Sequence, residues 1–292
     1  MGDAMKYIVM PCDYDYTTNK QIIEDLIKEY PFLNVQLIGR TAVGRSIFAL
    51  SLGNNKRSGV YVGSVCGSDG LSGLLLLLFI ERLCRAVKSN RTLASVDIRK
   101  TLSYSGITVI PCLNPDGREI FLYGPEGAGS MKSFVSSFYN KDSPAWEANA
   151  MGTDISRNFI FRSTGNKEPH SAAPSLFSGD YPESEAETKS LTRLCRLKGF
   201  RQCLEICHGE DEIFYKSDEE EPTSSQMMAK ILAGSSGLSL STDKDLHHAD
   251  IKDWFIKEFR KPAFTACISG SGQQLYSVYD RMEEALTAFL LL

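Results

Sequence analysis

The chain has 292 residues, 42% of them hydrophobic, and its 32 basic against 36 acidic side chains leave a net charge of −4. That content allows a large core, in one domain or two smaller ones, while the near balance of charge gives no sign of a polyanion-binding surface, so nucleic acid is not an expected partner. The longest apolar run, LLLLLFI, is too short to cross a bilayer, so no membrane association is expected.

The N-terminal MGDAMKYIVMPCDYDY has no basic region followed by an apolar stretch and a small-residue cleavage site, so a cytoplasmic location is expected. NKQIIEDLIKEYP places apolar residues at helical spacing and stops before Pro31. VQLIGRTAVGRSIFALSLG reads as two strands about a Gly-containing turn, GVYVGSV as a buried strand, and 71–88 as a buried helix. The link between that strand and helix, GSVCGSDG, sets Cys66 and Asp69 three residues apart, where α/β proteins often carry their chemistry. GITVIPCLNPDG is a further buried strand running into an Asn-Pro-Asp-Gly turn, and 124–145 reads as a surface excursion. YPESEAETKSLTRLCRLKG is a helix with a capping box of Ser184 and Glu187. FRQCLEICHGED is a strand ending at His208, AFTACISGSG another strand, and YSVYDRMEEALTAFLLL a C-terminal helix. With no repeat or Pro/Ser-rich linker, the alternation predicts one α/β domain over 1–292 with a mostly parallel sheet.

The eight cysteines follow no regular framework, and Cys203 and Cys207, without a second close pair, make a poor zinc knuckle, so reduced thiols are expected. Taken alone, Cys66 and Cys267 read as small core hydrophobes, and Cys12, Cys84, Cys112, Cys195, Cys203 and Cys207 as core or incidental. Asp69 suits a helix cap as well as a metal. His208, at a strand end before GEDE, is the best ligand candidate, and Arg157 suits either a substrate or Asp154. The adjacent His247 and His248 read as surface residues, and SDEEEP as a solvated loop.

Together, IGRTAVGRSIFALSLG, the strand–loop–helix at 60–83, VIPCLNPDGRE, GTDISRNF, FSGDYPESEAET, EICHGEDEIFY and KDWFIKEFRKPAFTACISGSG resemble, in order, the landmarks of the zinc carboxypeptidases. The resemblance to these carboxypeptidase A-like metallopeptidases covers nearly the whole chain. It implies a mixed, mostly parallel twisted sheet between helices, with zinc at the ends of the central strands. It puts Cys66, Asp69 and His208 at the metal-ligand positions, where the family has His-x-x-Glu and a distant His. Cys267 falls at the catalytic Glu, and Ser156 and Arg157 at the Asn-Arg pair that grips the substrate carboxylate. Glu147 falls where an oxyanion-steadying cation is expected, and STDKDLHHAD lacks the family's mobile Tyr.

Zinc peptidases need an open coordination position and a carboxylate to handle the proton of the metal-bound water. A thiol substitutes poorly for that carboxylate, because beside Zn²⁺ it loses its proton and binds the metal. Three readings stay open. The favoured one is a non-catalytic or very weakly active binder of peptide or peptidoglycan stem-peptide carboxylates through Arg157. The second is a metallohydrolase on a Cys66/Asp69/His208 zinc site, with Glu210, Asp211 or Glu212 as base. The third is a closed zinc site of Cys66, Asp69, His208 and Cys267, a Cys66–Cys267 disulfide, or a Cys267–His208 nucleophile–base pair.

Overall fold

The computed structural model describes residues 14–141, 146–160, 169–217, 219–241 and 250–292. The first half comprises helix α1 (Tyr16–Glu29), strands β1 (Asn34–Arg40), β2 (Ser46–Gly53) and β3 (Ser58–Val62), helix α2 (Leu71–Ser89), the short strands β4 (Thr92–Leu93) and β5 (Val96–Asp97), α3 (Ile98–Tyr104), β6 (Gly106–Ile110), α4 (Pro115–Tyr123) and α5 (Lys132–Ser136). The second comprises α6 (Ala186–Lys198), β7 (Cys203–His208), β8 (Glu212–Phe214), α7 (Ser225–Ser236), β9 (Ser239–Leu240), α8 (Asp250–Phe259), β10 (Ala263–Ile268) and α9 (Leu275–Leu291).

Among the described residues one sheet has eight strands in the order β1-β2-β6-β3-β7-β10-β8-β9. Its centre, β6, β3, β7 and β10, is parallel, while β2 joins β6 and β8 joins β10 antiparallel. This is the mixed, mostly parallel sheet that the sequence predicts. Alternate side chains sort to two cores, as the two-residue period of a strand requires. Tyr61, Leu204, Ile206 and Phe264 pack with residues of α2, α7 and α9, whereas Val60, Val62, Cys203 and Ala263 pack with residues of α6 and α8. Leu74 to Ile80 on α2 are at most 3% exposed, which is why that run is apolar without a polar face. No helix among the described residues is long and apolar enough to cross a membrane.

β3 leads through α2 to β6 on one side, and β7 leads through α7 and α8 to β10 on the other. The chain therefore departs in opposite directions from adjacent strands. The loops that follow them, 63–70 and 209–211, flank a crevice at the carboxyl ends of the parallel strands, where α/β sheets bind ligands.

Three local expectations change. Asn-Pro-Asp-Gly is not an isolated turn: the Asn114 side chain accepts the N–H of Gly117 at 2.8 Å and caps α4, with Pro115 in its first turn. Ser184 does not form the capping box. Its hydroxyl is taken by Asn158 and Glu185, each at 2.8 Å, and Glu185 is the N-cap of α6. The 124–145 excursion, described to residue 141, has a small core of its own: Ala128 and Val135 pack with Ile120 and Trp146.

Candidate functional site

The loop after β3 is held from several sides. Its Ser64 lies in the left-handed region at φ +45°, unusual for a residue with a side chain. The Ser64 N–H donates to Ser72 Oγ at 2.7 Å, and its carbonyl accepts from Asn114 N at 3.0 Å. Gly67 is required for closeness: a Cβ there would come 2.7 Å from the carbonyl oxygens of both Gly117 and Trp146. Arg118 clamps the loop, donating from Nε to Tyr14 O at 2.7 Å and from Nη1 to Gly67 O at 3.1 Å and Ser68 O at 2.9 Å. No sequence signal singled out Arg118 beyond its place directly after Asn-Pro-Asp-Gly.

Asp69, 3% exposed, spends both oxygens on structure. Oδ1 accepts the N–H of Ser72 at 3.1 Å, a capping bond to the first turn of α2 made from the residue before its N-cap, Gly70; Oδ2 accepts the Ser72 hydroxyl at 2.6 Å and the backbone N–H of His208 at 3.2 Å. Burial raises its carboxyl above the usual range, against the Ser72 bonds that lower it. His208 closes β7 with an exposed side chain, and its Nε2 lies 3.0 Å from Gly270 O.

Cys207 and Cys267 pair directly across the parallel strands β7 and β10, with Cα atoms 4.7 Å apart, and their sulfurs form a disulfide. Partners in a parallel ladder point to the same face, so the register itself brings the two thiols together. Cys207, which reads from sequence as incidental, is thus the partner of Cys267. Cys66 carries a free thiol. Burial pushes that thiol well above its ordinary value, and the carboxylates of Asp154, Glu147, Asp69 and Glu205 push further in the same direction.

Cys66, Cys207 and Cys267 line one cavity of ≈ 380 Å³ with Glu147, Glu210, Glu212, Asp69 and His208. Glu147 accepts the Ser68 hydroxyl at 2.9 Å and 2.8 Å, and burial raises its carboxyl. A neighbouring cavity of ≈ 260 Å³, on the Gly270–Gln273 side of His208, is lined by Arg118 and Tyr14. Ser156 and Arg157 line neither cavity. The Ser156 hydroxyl donates to Asp154 Oδ1 at 2.7 Å, and Arg157, 8% exposed, has Nε 3.8 Å from Asp154 Oδ2. His247, His248 and Cys12, and the stretch searched for the mobile Tyr apart from its ends, lie outside the described residues.

The fold matches known proteins. The zinc carboxypeptidase family model matches residues 20–273. The chain belongs to the zinc carboxypeptidase family. It is 25% identical to gamma-D-glutamyl-L-diamino acid endopeptidase 1 of Lysinibacillus sphaericus over 285 residues, which are 95% of this chain and 72% of that relative. Bovine thrombin-activatable fibrinolysis inhibitor, solved with tick carboxypeptidase inhibitor, shares the fold with a TM-score of 0.72, at 14% identity over 96% of this chain and 97% of that one. The murein-tripeptide amidase of Escherichia coli O157 gives 0.53, at 18% identity over 86% and 92%.

Zinc is the metal of this zinc carboxypeptidase family, and the donors at the three expected positions do not fit it in the present arrangement. Both Asp69 oxygens accept hydrogen bonds, and the ring of His208 is engaged at Gly270. Among the described residues no group of three or more His, Cys, Asp and Glu side chains is placed to hold a metal ion. Cys267, expected from the sequence resemblance to replace the catalytic Glu, is joined to Cys207 and has no thiol proton to exchange.

Proposed function

We propose that this member of the family binds peptides in the crevice and does not cleave them by the zinc–carboxylate mechanism. One observation carries the proposal: Cys267, which the sequence resemblance aligns with the family's general base, is held in a disulfide with Cys207. Loss of a general base costs about 10²–10⁴ in rate, and loss of an oxyanion donor about 10²–10³. Reduction does not restore activity, because a thiol beside Zn²⁺ becomes a ligand instead of a proton carrier.

The ligand is a peptide carrying a free amine, of the kind a peptidoglycan stem peptide offers through its diamino acid. Asp69, Glu147, Glu210 and Glu212 line the larger cavity, whose wall has no Lys or Arg among the described residues. Such a surface suits an ammonium group and repels a carboxylate. The relative from Lysinibacillus sphaericus carries a diamino acid in its name, which supports the same class. Arg157 and Ser156, engaged with Asp154, serve to hold the 152–158 segment. A cytoplasmic site of action, where stem-peptide fragments would be met after recycling, goes with this proposal.

The test is calorimetric titration with a γ-D-glutamyl-diamino acid peptide and with the same peptide acetylated on its side-chain amine, followed by chromatography of the recovered ligand. Binding of the free amine, weakening on acetylation and intact recovered peptide are expected. Cleavage that a chelator abolishes would establish the hydrolase instead. No binding of either peptide overturns the proposal.

A further inference from the structure

The two cavities of the crevice share a wall of Ser68, Asp69 and His208 but differ in charge. The larger adds Glu147, Glu210 and Glu212; the smaller, of ≈ 260 Å³, adds Arg118, Leu71, Leu74 and the chain at Gly270–Gln273. Asp69, common to both, has its two oxygens turned to Ser72 and to the His208 N–H. Arg118 stays charged at any ordinary pH, and its bonds to the carbonyls of Tyr14, Gly67 and Ser68 hold it in place before any ligand arrives. The same wall carries backbone donors. Among the described residues the N–H groups of Gly70, Leu71, Gly272 and Gln273 have no hydrogen-bond partner. A fixed guanidinium and unpartnered donors around one small cavity suit an acceptor with negative charge. Leu71 and Leu74 give that cavity an apolar side, which suits the carbon chain of a carboxylate better than a hydrated inorganic ion.

The geometry points to a carboxylate subsite in the smaller cavity, so that the peptide lies across His208 with its amine among the acids and a carboxylate on the Arg118 side. The cleft then reads two opposite charges on one ligand. The reversed pose sets each charge against its like, which fixes the direction in which the peptide enters. A peptide with the amine but an amidated carboxylate keeps one anchor and loses the other. The amine half rests on the peptide proposal above; the carboxylate half does not, because a simple carboxylate tests it alone.

The experiment follows backbone amide signals of the full chain, labelled with ¹⁵N and deuterium, during titration with sodium acetate, with sodium chloride at equal ionic strength as the blank. Saturable shifts at Gly70, Leu71, Gly272 and Gln273 are expected with acetate and not with chloride. Gln273 is exposed at the rim, so its charge can be changed without disturbing the core. Gln273→Glu should weaken acetate at least about threefold, and Gln273→Lys should strengthen it. The γ-D-glutamyl-diamino acid peptide should shift the same amides together with those of Gly209 and Glu210. Amidation of its carboxylates should remove the first set of shifts and leave the second. Acetate shifts confined to other residues, shifts matched by chloride, or shifts that Gln273→Glu leaves unchanged overturn the subsite. Peptide shifts indifferent to amidation overturn the pose across His208. Acetate binding here with no response to any peptide supports the subsite and defeats the peptide proposal instead.

Discussion

The backbone N–H of His208 donates to Oδ2 of Asp69 at 3.2 Å, so the loop after β3 and the end of β7 are tied by the carboxylate that also caps α2. Two residues that the sequence resemblance offers as metal ligands are thus joined directly to each other. Asp69→Ala removes a helix cap, a short bond to the Ser72 hydroxyl and the link to β7. A cap alone is worth ~1 kcal/mol, and a buried donor left unsatisfied costs roughly 1–3 kcal/mol more. Chemical denaturation should show a loss of about 2–4 kcal/mol for Asp69→Ala and a smaller one for Asp69→Asn, which keeps an oxygen for the cap. A loss under about 0.5 kcal/mol for Asp69→Ala would mean that the carboxylate has no such structural task.

The Cys207–Cys267 disulfide joins cysteines 60 residues apart in sequence. Cross-links of this kind contribute typically about 2–4 kcal/mol, chiefly by restricting the unfolded chain. Wild-type protein should therefore melt at a lower temperature with dithiothreitol and a chelator present than without reductant. Cys267→Ser should melt near the reduced wild type and ignore the reductant. A melting temperature of wild type that is indifferent to reductant would count against the cross-link.

Much of this was legible in the residues. α1, the β1–β2 pair, β3, α2 and α9 follow from apolar periodicity, with Pro31 marking where α1 ends. The family order of motifs pointed to Cys66, Asp69, His208 and Cys267, and the fold brings these four to one cavity. The partner of Cys267 was not legible, because it depends on the parallel register of β7 and β10, which no local pattern encodes. A faint signal existed: Cys207 and Cys267 each precede the last residue of their strand. Ser184 misled because its neighbours Asn158 and Glu185 compete for the hydroxyl, a tertiary fact. Arg118 escaped notice for a similar reason, since its three acceptors are backbone carbonyls with no side-chain signature.

Arg118 is 7% exposed and its guanidinium spans the carbonyls of Tyr14, Gly67 and Ser68. Hydrogen bonds from a charged donor contribute about 1.5–3 kcal/mol each, and their loss here leaves buried acceptors. Arg118→Ala should lower stability by at least about 3 kcal/mol and speed hydrogen exchange in the 63–70 loop before the rest of the sheet. Lysine lacks the planar fork and should rescue only part of the loss. Exchange that rises uniformly over the molecule, with no lead in that loop, would refute the clamp.

Glu187 provides a pH-dependent test of the helix that follows the 152–184 segment. It is fully buried on α6; Asn149 Nδ2 lies 3.3 Å from its Oε2, and its Oε1 has no hydrogen-bond partner among the described residues. Burial, and after it the charge of Asp116, pushes its carboxyl up to about 8 from an ordinary 4.5. The folded chain therefore binds this proton more tightly than the unfolded chain does. Below pH 4.5 both states hold it and the group is neutral to stability; between 4.5 and 8 the unfolded state ionises first, and stability falls as pH rises. The accumulated cost above pH 8 is roughly 2–5 kcal/mol. Glu187→Gln keeps the shape and cannot ionise, so its stability advantage over wild type should grow from near zero at pH 4.5 to that amount at pH 8.5. Urea denaturation at pH 4.5, 6.5 and 8.5 measures this directly, and a wild-type-to-variant difference that stays flat across the range would show that Glu187 does not carry a buried proton.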